Sequence, residues 1–219
     1  MHYKVFREFL SEVELLEIES ALNSYKPLDE WGSSQSVSTQ DPYGSVTDSR
    51  IAKYLIGNPK QFNANTKQRI HNAIQDVLPG EYRFDEHWSI QRYLDKDRGR
   101  FDWHMDVIDF FKPDSNRTAE ELFIMNSRPN RKISISVALN DRVEYNGGQF
   151  ILNTDGKGGN GNQQAIDLDR GDMVIFTSET WHGVEPVTEG ERSALIIWLI
   201  DNEEYIKWKQ LCDIDTERE

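Results

Sequence analysis

A mainly β fold with flanking helices, two antiparallel sheets packed as a sandwich or jelly roll, is what this sequence predicts, on three observations. Short strand-like segments succeed one another from residue 82 to residue 200, with turn residues between them. Helical periodicity is confined to the stretches on either side. Strands and helices do not alternate, as a doubly wound parallel sheet would require. The chain of 219 residues is long enough for one well-cored domain, and no linker divides it. The expected organisation is a single domain over 1–219, with a helical and looped flank over 1–81, a core over 82–200, and a closing helix and tail over 201–219.

Each element follows from local chemistry. "SEVELLEIESAL" reads as a helix: Ser11 caps its free amides, Glu14 completes a capping box, and Leu15, Ile18 and Leu22 form one apolar stripe. Residues 31–50, "WGSSQSVSTQDPYGSVTDSR", are rich in Ser, Asp and Gly and predict an extended or looped surface region. A second helix is expected over "ANTKQRIHNAIQDVL", burying Ile70, Ala73, Ile74, Val77 and Leu78 and ended by Pro79-Gly80. His71, beside that stripe, reads as structural or solvated rather than chemical. The first core strand, in "FDEHWSIQRYL", carries Trp88, Ile90 and Leu94 on one parity and His87, Ser89, Gln91 and Tyr93 on the other. "RKISISVALN" alternates Ile133, Ile135 and Val137 with Ser134 and Ser136, a half-polar strand that lines something. "GGQFILN", "QQAIDL", "DMVIFTS" and "RSALIIWLI" supply further strands, and the glycine-rich 155–164 reads as a hairpin loop. It lacks the lysine and hydroxyl of a phosphate-binding loop. "DNEEYIKWKQLC" closes the chain as a helix capped by Asp201, with Glu204 completing the box.

Composition narrows the function. A formal net charge of −13 repels a phosphate backbone, so nucleic acid is not the expected partner. One cysteine, Cys212, gives no internal disulfide framework and no soft-metal cluster. The first residues are too interrupted by charge for a secretory signal, and no apolar run is long enough to cross a bilayer. The expectation is a cytoplasmic protein without a membrane partner.

The chemistry is in "FDWHMD". On a strand, His104 and Asp106 point to one side and can offer two arms to a metal ion, at about 2.0–2.2 Å. A buried His–Asp hydrogen bond explains the pair equally well by itself. His182, in a polar turn after "DMVIF", adds a third donor held by rigid strands yet open to a substrate. Two imidazoles and a carboxylate can hold non-haem Fe(II) with positions left open, or zinc with a hydrolytic water. Arg192, ten residues after His182, heads the strand "RSALIIWLI". Inside a barrel it would require an anion, such as the far carboxylate of a metal-chelating diacid; at a strand end it would merely face water. Trp103, Trp181 and Trp198 read as core or pocket walls, with Trp181 also able to pack a substrate ring. Ser134 and Ser136 line a cavity or face solvent. Glu179, Asp172 and Glu185 read as solvated edge charges, and Asp109 as a turn residue or a support to the site.

Taken jointly, these residues resemble the 2-oxoglutarate- and Fe(II)-dependent oxygenases, and within them the prolyl 4-hydroxylase branch. The resemblance runs from about Trp88 to Leu199. It is carried by "YLDKDRGRFDWHMD", by "RKISISVALNDRVEYNGGQF" with Gly147 and Gly148 in its turn, by "GDMVIFTS" with His182 after it, and by Arg192 and Trp198. It implies a double-stranded β-helix, the cupin-like jelly roll. It implies His104, Asp106 and His182 as catalytic iron ligands, and Arg192 and Tyr93 as the groups binding the distal carboxylate of 2-oxoglutarate. The implied cofactors are Fe(II) and 2-oxoglutarate, with ascorbate as a candidate reductant. The implied reaction consumes O2, hydroxylates a substrate, and releases succinate and CO2. A prolyl residue of a peptide or protein is the favoured substrate; a free amino acid or another small molecule is the runner-up. A zinc hydrolase and a noncatalytic metal-binding jelly roll are the other readings. Two departures stand out: Phe101 occupies a place where this branch frequently has tyrosine, and the insert 107–130 has no clear counterpart. The nucleic-acid demethylase branch usually has a second arginine six residues after the first, where this chain has Trp198.

Overall fold

The computed structural model describes residues 3–23, 32–37, 48–57, 62–107, 118, 123, 126–156 and 161–216. Its strands are β1 (Tyr3–Phe6), β2 (Gly32–Val37), β3 (Asp48–Gly57), β4 (Tyr82–Phe84), β5 (Trp88–Leu94), β6 (Arg100–His104) and β7 (Arg131–Ala138). They continue as β8 (Tyr145–Gly147), β9 (Phe150–Asn153), β10 (Gln163–Ile166), β11 (Met173–Thr177), β12 (His182–Val184) and β13 (Val187–Asp201). The helices are α1 (Glu12–Asn23), α2 (Ala64–Ile74) and α3 (Asn202–Thr216).

All the pairings are antiparallel, and the strands form one sheet ordered β1-β11-β7-β13-β5-β3-β6-β12-β9-β10, with β2, β4 and β8 attached at its sides. The sheet curls into a half-barrel of the jelly-roll type, so residues from its two arms meet inside. Phe150 and Leu152 of one arm and Val174 and Phe176 of the other share one buried cluster. Strand β13 belongs to both arms: Val187 pairs with β8, whereas Ala194 pairs with β7 and β5. Gly190 sits between these stretches at φ +75, where a Cβ would lie 2.4 Å from the Glu144 carbonyl oxygen. Only glycine lets the strand turn there without strain.

The arm that carries β7, β13, β5 and β11 is buried on both faces. Ile133, Ile135 and Val137 point outward with Met173, Ile175, Leu195, Ile197 and Leu199, onto a core that includes Leu15, Ile70 and Ile74 of the helices. The alternate residues point into the barrel. Each such aliphatic side chain contributes about 1.5–3 kcal/mol by leaving water, so this outer layer is what fixes the arm in place.

The N-terminal caps of α1 and α3 form at Ser11 and Asp201 as expected, whereas α2 ends at Ile74, short of Pro79-Gly80. The Ser11 amide donates to Glu14 Oε2 at 2.9 Å, and the Glu204 amide donates to Asp201 Oδ1 at 2.9 Å. Asn63 caps α2 by accepting from the Thr66 amide at 2.8 Å. Leu15 and Ile18 are buried as their stripe requires; the side chain of Leu22 lies outside the described residues.

The flank over 1–81 is not purely helical and looped: β1, β2 and β3 add three strands to the sheet. Strand β2 and the start of β3 fall within the expected surface region 31–50, while residues 38–47 lie outside the described set. The physical reason is that "GSSQSV" has no apolar parity, and the inward residues of β3, Arg50, Ala52 and Tyr54, are not an apolar row. Backbone pairing, of β2 with β3 and of β3 with the more distant β5 and β6, rather than hydrophobic alternation, makes these strands.

Candidate metal centre and co-substrate pocket

His104 ends β6 and His182 begins β12, and the two are directly opposite in the antiparallel register. Their rings lie 4.1 Å apart. Asp106 follows just beyond the strand end, its amide donating to the Ser178 carbonyl at 2.9 Å. This hydrogen bond brings the carboxylate back over the imidazoles: Oδ1 lies 3.7 Å from His104 Nε2 and Oδ2 lies 3.5 Å from His182 Nε2. The three donor atoms all lie within 4.8 Å of one another.

The tautomers follow from the other ring nitrogens. His104 Nδ1 is 2.8 Å from the Asp102 carbonyl oxygen, and His182 Nδ1 is 2.8 Å from that of Thr180. A carbonyl only accepts, so each Nδ1 carries the hydrogen and each Nε2 presents its lone pair inward. Burial, reinforced by His182, drives the His104 imidazolium pKa down to about 3, leaving a neutral ring. Burial acts to raise the Asp106 carboxyl, but His182, His104 and Arg131 outweigh it and bring it down to about 2. Asp106 Oδ2 is buried with no hydrogen-bond partner. An orphaned carboxylate oxygen facing two imidazole lone pairs fits a divalent first-row cation, which would satisfy all three. Phe101 stacks on His104 with centroids 3.5 Å apart, and Phe176 meets His182 edge-on at 4.7 Å, so apolar rings hold both imidazoles.

The same cleft contains Arg192 and Tyr93, with ≈ 370 Å³ of empty space, its open mouth included. Arg192 is only 4% exposed and pairs in register with Tyr93 across β13 and β5. Its guanidinium carbon lies 5.4 Å from the Tyr93 ring centroid. No carboxylate among the described residues forms an ion pair with it. The Gly147-Gly148 turn makes room for it: at Gly148, φ +59, a Cβ would come within 3.3 Å of Arg192 Cδ and 2.8 Å of Val187 Cγ2. Burial pushes the Tyr93 hydroxyl up to about 12, so it is a neutral donor.

The five site residues expected from sequence therefore surround one pocket. Tyr93 differs in one respect: its hydroxyl donates to Gln91 Oε1 on the same strand face. Gln91 is thus a pocket residue that sequence reasoning passed over, although its parity with Tyr93 carried the signal. Ser136 lines the pocket with an unpartnered buried hydroxyl, whereas Ser134 is bonded to Ser178, Oγ to Oγ, at 2.8 Å. Trp198 is a pocket wall, with the Arg131 guanidinium carbon 3.7 Å from its ring centroid. Trp181 lines a separate groove with Arg131 and Lys132 and is not part of the wall around His182. Asp172 is no solvated edge charge: it is buried, accepting from Arg7 Nη1 at 2.5 Å and from the Glu8 amide at 2.8 Å. Glu179 is exposed as expected, Glu185 is half-buried, and Asp109 lies outside the described residues.

A PKHD-type hydroxylase of Colwellia psychrerythraea is 34% identical over 67 residues, which is 31% of this chain and 28% of that protein. Another, from Xylella fastidiosa strain M12, is 40% identical over 67 residues, 31% of this chain and 27% of that one. The aligned region thus spans less than a third of the curated relatives. Among solved structures, a Pseudomonas putida prolyl-4-hydroxylase superposes with TM-score 0.58 at 16% identity, covering 92% of this chain and 94% of that one. A Trichoplax adhaerens prolyl hydroxylase, solved with a peptide fragment of hypoxia inducible factor, gives 0.59 at 16% identity over 94% and 86%. These likenesses establish the jelly-roll fold. Among the described residues, no helix is long and apolar enough to cross a membrane. The 2OG-Fe(II) oxygenase superfamily profile matches residues 88–200, the stretch that carries both imidazoles, the carboxylate and the buried arginine, and the chain belongs to that superfamily of dioxygenases, whose members use Fe(II) and 2-oxoglutarate.

Proposed function

We propose that the protein is a 2-oxoglutarate- and O2-dependent hydroxylase acting on a prolyl residue of a peptide or protein, with residues 1–219 working as one oxygenase domain in the cytoplasm. His104, Asp106 and His182 hold Fe(II), and Arg192 and Tyr93 hold the distal carboxylate of 2-oxoglutarate. The observation that carries this reading is the coincidence, in one pocket, of an orphaned Asp106 oxygen and an unpaired buried Arg192. A protein that lacked both a cation and a diacid would bear the cost of each group without return.

When bound, Fe(II) supplies the O2-dependent oxidation that converts the keto acid to succinate and CO2 and hydroxylates the substrate. The chain's own residues do the positioning. The two imidazoles and Asp106 would hold the ion through three protein donors. Arg192 pairs bidentately with the far carboxylate, so the keto acid enters in one orientation. Tyr93 shifts its hydrogen from Gln91 to that carboxylate, and Gln91 is left to accept from another donor. Phe101, Phe150 and Phe176 keep water from the reacting centre.

A prolyl substrate is supported by structural neighbours that are prolyl hydroxylases, one of which was solved with a peptide. The test is succinate formation with Fe(II) and 2-oxoglutarate, with and without proline-containing peptides. Substrate-free turnover that rises with a peptide is the expected result. Activity with zinc and no need for the keto acid would reject the reading.

A further inference from the structure

Arg192 is not the only guanidinium near the candidate metal centre that lacks a carboxylate partner among the described residues. Arg50, on β3, lies opposite Phe101 of β6 in register. Its guanidinium carbon sits 5.0 Å from the Phe101 ring centroid, and that ring is the one stacked on His104. Arg50 Nε is buried without a hydrogen-bond partner, and no carboxylate among the described residues forms an ion pair with the side chain. Among the described residues, the charged and titratable groups around Arg50 include Tyr93, Tyr54, Asp106, Arg131 and His104. The single carboxylate in that set, Asp106, is the one committed to the metal.

The chain has 38 acidic residues against 25 basic ones, so carboxylates are not scarce. Arg192 lines the pocket and Arg50 stands beside its Phe101 wall, and among the described residues neither guanidinium has a carboxylate partner, which calls for anions brought by ligands. On the reading above, 2-oxoglutarate supplies two carboxylates: one goes to the metal and the other to Arg192. None remains for Arg50. The Phe101 ring beneath the guanidinium limits its motion and orients its donors for a planar, bidentate partner.

We propose that Arg50 is a specificity residue that binds a carboxylate of the substrate, so that the hydroxylated compound is an acid. For a prolyl substrate the carboxylate has two sources: the α-carboxylate of a terminal or free proline, or an acidic side chain next to the target residue. This rests on the iron and 2-oxoglutarate reading of the pocket. Arg50 would hold the substrate beside Phe101, whose ring stacks on His104.

The test is binding to the full chain loaded with Mn(II) and 2-oxoglutarate, by calorimetry or NMR titration. The probes are N-acetylproline against N-acetylprolinamide, and N-acetyl-Pro-Asp-amide against N-acetyl-Pro-Asn-amide. At least one acid is expected to bind about tenfold or more tightly than its amide partner, and the member of the set that does so identifies the source. R50Q should abolish that preference while binding 2-oxoglutarate within about twofold of the parent, and R50K should keep part of it. R50K also serves if R50Q proves unstable. Three outcomes overturn the proposal: no acid preferred by the parent, the preference kept in R50Q, or 2-oxoglutarate weakened in R50Q as much as the acid. Failure of the parent to bind 2-oxoglutarate at all would instead reject the pocket reading on which the proposal stands.

Discussion

The two faces of the arm built from β5, β7, β11 and β13 differ more than their sequence spacing suggests. Outward, Ile133, Val137, Met173, Leu195 and Leu199 meet the helices in an apolar layer. Inward, one residue along, the same strands present Gln91, Tyr93, Ser136 and Arg192 to a pocket with unpartnered Ser136 and Trp198 polar atoms on its wall. Neighbouring residues thus serve opposite ends: one face contributes stability, and the other gives some of it up to keep polar groups ready for ligands. The two should separate under mutation.

The largest effect is expected at the centre of the inner face. His182→Ala removes one of three donors and should abolish succinate formation and iron binding while leaving the thermal midpoint near the parent's. A midpoint that collapsed along with activity would erase the distinction between the faces. On the outer face, Leu195→Ala should cost about 2–5 kcal/mol in urea unfolding, with little change in kcat of the folded protein. Arg192→Gln should raise the 2-oxoglutarate KM about tenfold to a hundredfold, with stability unchanged or higher because a buried unpaired cation is gone. If R192Q binds 2-oxoglutarate like the parent, the role given to Arg192 is wrong. Tyr93→Phe should have a smaller effect, about 1–3 kcal/mol at most in keto-acid binding, since one neutral donor is lost.

The smallest effect belongs to the helical layer. Burial acts to raise the Glu14 carboxyl, but hydrogen bonds from Thr66, Ser11 and Arg69 outweigh it and bring it down to about 2 from an ordinary 4.5. A depressed folded-state pKa means that its stabilisation is complete above pH 4.5 and is lost as the pH falls towards 2. After allowance for solvent screening this is worth about 1 kcal/mol. Glu14→Gln should remove that part of the acid destabilisation in melting curves recorded across this range. An unchanged acid limb in E14Q would sever the link between this carboxylate and the helical layer.

What the sequence disclosed follows from how locally each feature is encoded. His104 and Asp106 share two adjacent same-side positions, His182 follows an apolar strand, and Arg192 heads the next one; each could be found without knowing the fold. The parity of Ile133, Ile135 and Val137 against Ser134 and Ser136 likewise marked β7 and its lining face. Strands β1, β2 and β3 were not legible, because backbone pairing makes them, of β1 and β3 with partners distant in the chain and of β2 with β3, and none has a sustained apolar parity of its own. Asp172 looked solvated for a similar reason: the arginine that pairs with it stands near the other end of the chain, at Arg7. Arg50 was hidden inside a Ser-rich stretch, and only the β3–β6 register brings it beside Phe101.

Both imidazoles take their orientation from main-chain oxygens, those of Asp102 and Thr180, rather than from side-chain acids. The aim of the two nitrogen donors is therefore a property of strand geometry, indifferent to which side chain occupies either supporting position. Substitutions at 102 and 180 that keep the backbone path can alter charge and shape around the rings without turning them, which leaves the surroundings of this centre free to diversify while its donor set stays fixed.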